Sequence, residues 1–141
     1  AAWTTQTVAL TGLADLYPAD PEPEFVDINS DNIAAISLQE NNHIVLVNLA
    51  DGSIVNHFSA GTVDLVGVDA NEDDLIDQSE SLDGVLREPD GLSWLSTEYF
   101  VTANEGDLDA MATIPNLVQK TKVTSQKTQS LLCSVVSAIY L

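Results

Sequence analysis

From Glu24 to Ser59 the chain alternates short apolar runs with clusters of turn residues, and this pattern predicts four β-strands. Phe25–Ile28 is the first, and the polar run Asn29-Ser-Asp-Asn32 ends it. Ile33-Ala-Ala-Ile-Ser-Leu38 has almost no polar position, so it reads as a strand buried on both faces. Gln39-Glu-Asn-Asn42 is the next turn, and Ile44-Val-Leu-Val-Asn-Leu49 follows. Asp51-Gly52 is a tight hairpin signal, after which Ser53–Phe58 alternates as a strand with one wet face should. Four consecutive antiparallel strands in about 35 residues make one blade of a β-propeller.

A second copy of this pattern starts further along. Glu22-Pro-Glu-Phe-Val26 is echoed by Glu88-Pro-Asp-Gly-Leu92, and Ser37-Leu-Gln-Glu-Asn-Asn42 corresponds to Thr102-Ala-Asn-Glu-Gly-Asp107. The spacing of about 66 residues exceeds the roughly 40 to 50 of common propeller repeats. An acidic insertion over residues 61–87 accounts for the excess. The expected fold is therefore all-β, a partial β-propeller of about one and a half blades, with this insertion inside a domain spanning residues 1–109.

Composition changes the picture past Asp109. The 141-residue chain carries 22 acidic and four basic residues, a formal net charge of −18, yet residues 110–141 hold no acid and three of the basic residues, Lys120, Lys122 and Lys127. Such a swing inside one small domain sets 110–141 apart as an anomalous basic tail. Either it is out of register with an ancestral reading frame or comes from a truncated gene, or it is an ordinary variable C-terminal segment with a helix near Ser130 to Leu141. A chain of this length can bury roughly 68% of its unfolded surface, and at 45% hydrophobic residues it has the material for a core.

So acidic a chain is a poor partner for nucleic acid, which is held by Lys and Arg, and for anionic membrane surfaces. Cations are what it attracts. No apolar run reaches the roughly 20 residues needed to span a bilayer. The one cysteine, Cys133, excludes an internal disulfide. Ala1-Ala-Trp3 fits a mature chain after signal removal or an excised fragment, and unpaired strand edges in an incomplete propeller predict self-association.

The insertion holds the most specific chemistry. Asp69-Ala-Asn-Glu-Asp-Asp-Leu-Ile-Asp-Gln-Ser-Glu80 is twelve residues long, and its oxygen donors follow the spacing of an EF-hand-like calcium loop. Asp69, Asn71 and Asp73 fall at positions one, three and five. Leu75 at seven offers its backbone carbonyl, Ile76 at eight is the expected apolar anchor, Asp77 stands at nine, and Glu80 at twelve can be bidentate. Position six, ordinarily Gly, is Asp74, whose backbone must then accept a positive φ. The expected cofactor and partner is Ca²⁺. Strand-like flanks argue against a paired EF-hand domain, so the loop would tie the insertion down.

Three further loops carry carboxylate, amide and guanidinium groups: Gln39, Glu40, Asn41 and Asn42; Arg87, Glu88 and Asp90; Asn104, Glu105 and Asp107. They recur at equivalent positions of the two copies, so they are candidates to converge near a central channel, although the same residues also make good turns. His43 and His57 are not spaced as a metal pair on one strand and read as partly exposed strand residues. Trp3 and Trp94 read as packing residues.

The runs Glu22–Val26, Leu38–Asn42, Val47–Gly52, Arg87–Asp90 and Thr102–Asp107 together resemble the propeller of the choice-of-anchor I family, over about residues 22–109. That family is related to mesenchyme-specific cell-surface glycoproteins and to secreted proteins described as alkaline-phosphatase-like. The resemblance implies an exported, often surface-anchored protein with further blades. Two functions are then open: a non-catalytic extracellular calcium-binding propeller module, or a fragment of a secreted metal-dependent phosphoesterase whose catalytic residues remain unassigned.

Overall fold

The computed structural model describes residues 3–70, 73–106 and 133–134. The described residues form nine strands and no helix, in antiparallel sheets. The first four strands are β1 (Pro23–Ile28), β2 (Ile33–Leu38), β3 (His43–Asn48) and β4 (Ser53–Ser59), paired in chain order as one meander. They fall within a residue or two of the strands the apolar pattern predicts. Their turns close by named contacts. The Asn29 Oδ1 accepts from the backbone N–H groups of Asp31 and Ile33, both at 3.0 Å. Gly52 takes φ 73° between β3 and β4, where a side chain would be strained, and Asp51 Oδ1 accepts from the Ser53 backbone and hydroxyl.

Both faces of the four-stranded sheet are covered, as the unbroken apolar runs of β2 and β3 require. On one face Ala35, Ile44 and Leu46 pack with Leu92 and Phe100, with Ile33, Phe58 and Trp94 around them. On the other, Ala34, Leu38, Val45 and Val47 pack with Val8, Leu10 and Leu13 of the N-terminal segment. The two clusters take alternate residues of each strand, which is the period-two geometry of a pleated sheet. Segment 3–22, which has no strand, thus serves as a lid over the meander.

The insertion forms a separate hairpin of β5 (Thr62–Val68) and β6 (Glu80–Leu86), with register shifts at Val63/Leu65 and Val66/Val68. Its base is held by the Arg87 N–H donating to Gly61 O and by Arg87 Nη1 donating to Ala60 O, both at 3.3 Å.

The second copy is β7 (Pro89–Trp94) with β8 (Phe100–Asn104), and its pairing repeats the first at an offset of 66 residues throughout, so that Ser37 is equivalent to Ala103 and Gln39 to Glu105, one residue beyond the correspondence that the runs Ser37–Asn42 and Thr102–Asp107 suggest. Pro23↔Leu38 becomes Pro89↔Asn104, Val26↔Ile36 becomes Leu92↔Thr102, and Ile28↔Ala34 becomes Trp94↔Phe100, with the register shift at the same place in each. The turn repeats too: Asn29 N–H donates to Ile33 O, and Leu95 N–H to Tyr99 O. A third strand of this sheet, β9 (Cys133–Ser134), pairs with β8. These two tail residues are therefore strand, not part of the alternative helix over Ser130 to Leu141; the rest of that segment lies outside the described residues. The sheets are open, and no described helix is long and apolar enough to cross a membrane.

The two copies are joined by polar contacts as well as by the shared core. Asp27 on β1 accepts from the Trp94 backbone N–H at 2.8 Å and from the Ser93 hydroxyl at 3.2 Å, while Trp94 Nε1 donates to Asp27 O at 3.1 Å. The Ser37 hydroxyl donates to Asp90 O at 2.8 Å. The Trp94 N–H, then the Ile28 N–H, hold the Asp27 carboxyl below its usual range. A depressed carboxylate stabilises the fold fully above its unfolded value and loses that contribution as pH falls through the folded one. Acid unfolding monitored by tryptophan fluorescence is accordingly expected to begin below about pH 4 with loss of the Trp94 environment, and Asp27→Asn to flatten that limb. An unchanged acid limb in the variant would remove Asp27 as its origin.

Candidate functional site

Two places gather the residues with chemical potential. The first is the tip of the β5–β6 hairpin. Val68 pairs with Glu80, so Asp69 directly follows β5 and Glu80 opens β6. The Asp69 carboxylate turns across the loop and accepts from the Asp77 N–H at 3.2 Å; Asp73 Oδ1 accepts from the Leu75 N–H at 3.0 Å. Asp74 takes φ 65°, the left-handed conformation that position six of such a loop demands. Asn71 lies outside the described residues.

One expectation fails here. Ile76, the proposed apolar anchor, is 92% exposed, and Leu75 beside it is 68% exposed. The loop joins the two strands of a hairpin, which presents no core to receive an anchoring side chain. Among the described residues no group of three or more His, Cys, Asp or Glu side chains is gathered to hold a metal ion.

The second place is the seam between the two copies, where the three candidate loops meet. Gln39 Nε2 donates to Glu105 Oε2, joining the first loop to the third through residues that are equivalent in the repeat. Asn42 Oδ1 accepts from the Glu88 N–H at 3.0 Å and Asn42 Nδ2 donates to Gly61 O at 3.0 Å, joining the first loop to the second. Asn41 faces the other way: its Oδ1 accepts from the Glu22 N–H, and its Nδ2 donates to the carbonyls of Leu16, Tyr17 and Asp20. Asn41, Asn42 and Glu88 are buried. Asn104 Oδ1 accepts from the Thr102 hydroxyl, and the Glu105 N–H donates to Glu88 O. Glu40 is exposed on the first loop and Asp90 half-buried on β7. Asp107 lies outside the described residues. The loops converge, and their amides and carboxylates bond the copies together.

The sequence gives no warning of the histidines. His43 is buried, 5% exposed, not partly exposed as its strand position suggests, while His57 is exposed. Register pairs His43 with Ser59 and Val45 with His57, so the two rings are diagonal neighbours on one face, with His43 Nε2 3.0 Å from His57 Nδ1. Burial, then the nearby His57, lowers the His43 pKa, against an opposing pull from Asp15. Trp94 packs edge-on against Phe100 as expected, but Trp3 is wholly exposed.

The family model described as the choice-of-anchor I domain matches residues 5–138, which includes most of the basic tail. No curated protein and no solved structure matches the chain.

Proposed function

Because this chain belongs to the choice-of-anchor I domain family, we propose that it is a non-catalytic, calcium-binding module of an exported protein held at the cell surface, built on propeller-type blades. The observation that carries the calcium reading is the hairpin tip. Asp69, Asp73, Asp77 and Glu80 offer oxygens at the spacing one hard cation needs, and Asp74 already occupies the left-handed conformation that lets such a loop turn. A formal net charge of −18 draws divalent cations toward it. Holding the ion would fasten an exposed loop, so the role is structural. The phosphoesterase alternative has less support, since Gln39, Asn42 and Glu105 are occupied in joining the two copies.

Calcium titration of the whole chain tests this. Extracellular calcium modules bind with dissociation constants of about 10⁻⁴–10⁻³ M, and a ligand at 100 times its dissociation constant stabilises by about 2.7 kcal/mol. Calcium at tens of millimolar is expected to raise Tm by several degrees above the value in an equal concentration of Mg²⁺, and the paired change Asp69→Asn with Glu80→Gln to abolish the difference. Equal responses to both ions, or a response that survives the paired change, would assign the effect to diffuse screening.

A further inference from the structure

We propose that His43 and His57 form a chelating site for a divalent transition-metal ion of the zinc or nickel class, at the seam of β3 and β4. The His43 Nε2 and His57 Nδ1 atoms point at one another across 3.0 Å, with ring centroids 5.3 Å apart and planes inclined by 34°. Two imidazole nitrogens on one tetrahedral zinc, at bonds of about 2.0–2.1 Å, stand roughly 3.4 Å apart. Admitting the ion therefore takes an opening of a few tenths of an ångström together with a turn of the rings that brings both lone pairs to one point beside the line between the nitrogens.

The exchange needs no net proton. In the ion-free pair one ring nitrogen donates a hydrogen to the other; on binding, the donating ring must pass that hydrogen through solvent to its far nitrogen while the other ring keeps its own there, leaving Nε2 of His43 and Nδ1 of His57 to ligate the ion. His43 is fixed by its place inside the sheet and its burial favours the neutral, ligating form. His57 is exposed on strand β4, so the ion has a route in and water can fill the remaining positions. Asp15 opposes the lowering of the His43 pKa through its negative charge.

Nitrogen donors select against calcium and magnesium and in favour of nickel, copper and zinc. The site is thus independent of the hairpin loop and is tested with that loop occupied. In the whole chain, at neutral pH and with excess calcium present, calorimetric titration with Zn²⁺ is expected to show one equivalent bound. His57→Gln, a change at an exposed position, is expected to weaken that binding at least tenfold. In the unaltered protein, substoichiometric Ni²⁺ is expected to broaden the Cε1–H resonances of both imidazoles together. Zinc binding unchanged by His57→Gln, or nickel broadening of one imidazole or neither, would overturn the proposal.

Discussion

Phe100→Ala is expected to destabilise the chain by about 3–5 kcal/mol, the cost of emptying a well-packed aromatic site, and to separate the two copies before the first one melts. Phe100 is buried where β8 meets the face of β2 and β3. Its ring lies 5.2 Å from that of Trp94, edge-on, and 6.4 Å from that of Phe58, so it touches aromatic groups from both copies. The cluster around it contains Ala35 and small gaps cannot be refilled by long flexible side chains, because its neighbours are short or fixed on strands. For a domain whose whole stability lies in the range of about 5–15 kcal/mol, such a loss is a large fraction. Denaturant unfolding followed by tryptophan fluorescence measures it. Phe100→Leu, which keeps much of the volume, should lose less than half as much. An alanine variant within about 1 kcal/mol of the parent would mean that the copies are held by their polar seam alone.

The first sheet was legible because its signals are local. Each strand from β1 to β4 is bounded by residues whose side chains or backbone conformations end it, Asn29, Asn42 and Gly52 among them, and β2 and β3 lack the polar alternation that would leave a face wet. The repeat was legible for a further reason: an acidic residue and a proline open both copies, and the shift of register after Pro23 recurs after Pro89. What the sequence hid depends on distance along the chain. Val8, Leu10 and Leu13 carry no strand pattern, and their covering role exists only because the exposed side of β2 and β3 is apolar. His43 and His57 meet through the register of a hairpin whose turn lies between them, which neither residue announces. Ile76 is no anchor because a two-stranded hairpin offers it nothing to pack against. A spacing rule predicts which atoms can reach a cation; the flanking elements decide what the remaining side chains touch.

Replacing Asn42 with alanine is expected to cost roughly 2–4 kcal/mol, although it removes no apolar contact of note. The side chain is buried and bonds at both ends, to the Glu88 N–H and to Gly61 O, and its own backbone carbonyl accepts from the Ala60 N–H at 2.8 Å. One residue thereby fixes where β4 leaves the first sheet and where β7 begins the second copy. Alanine leaves a buried N–H without its acceptor, at about 1–3 kcal/mol, and must still hold φ 48°, a left-handed conformation that asparagine tolerates and alanine resists by roughly 1–2 kcal/mol. Asn42→Gly separates the two effects, since glycine accepts that φ freely but restores neither bond. The glycine variant is expected to recover about 1 kcal/mol relative to alanine and no more, with the denaturant m-value unchanged. Asn41→Ala should behave differently: its four bonds run to residues 16–22, so its loss should loosen the N-terminal cover, seen as faster amide exchange in Val8 to Leu13, while the junction between the copies stays closed. If Asn42→Ala instead matched Asn41→Ala in both size and exchange pattern, the division of labour between these adjacent asparagines would be wrong, and the loop would be a turn and nothing more.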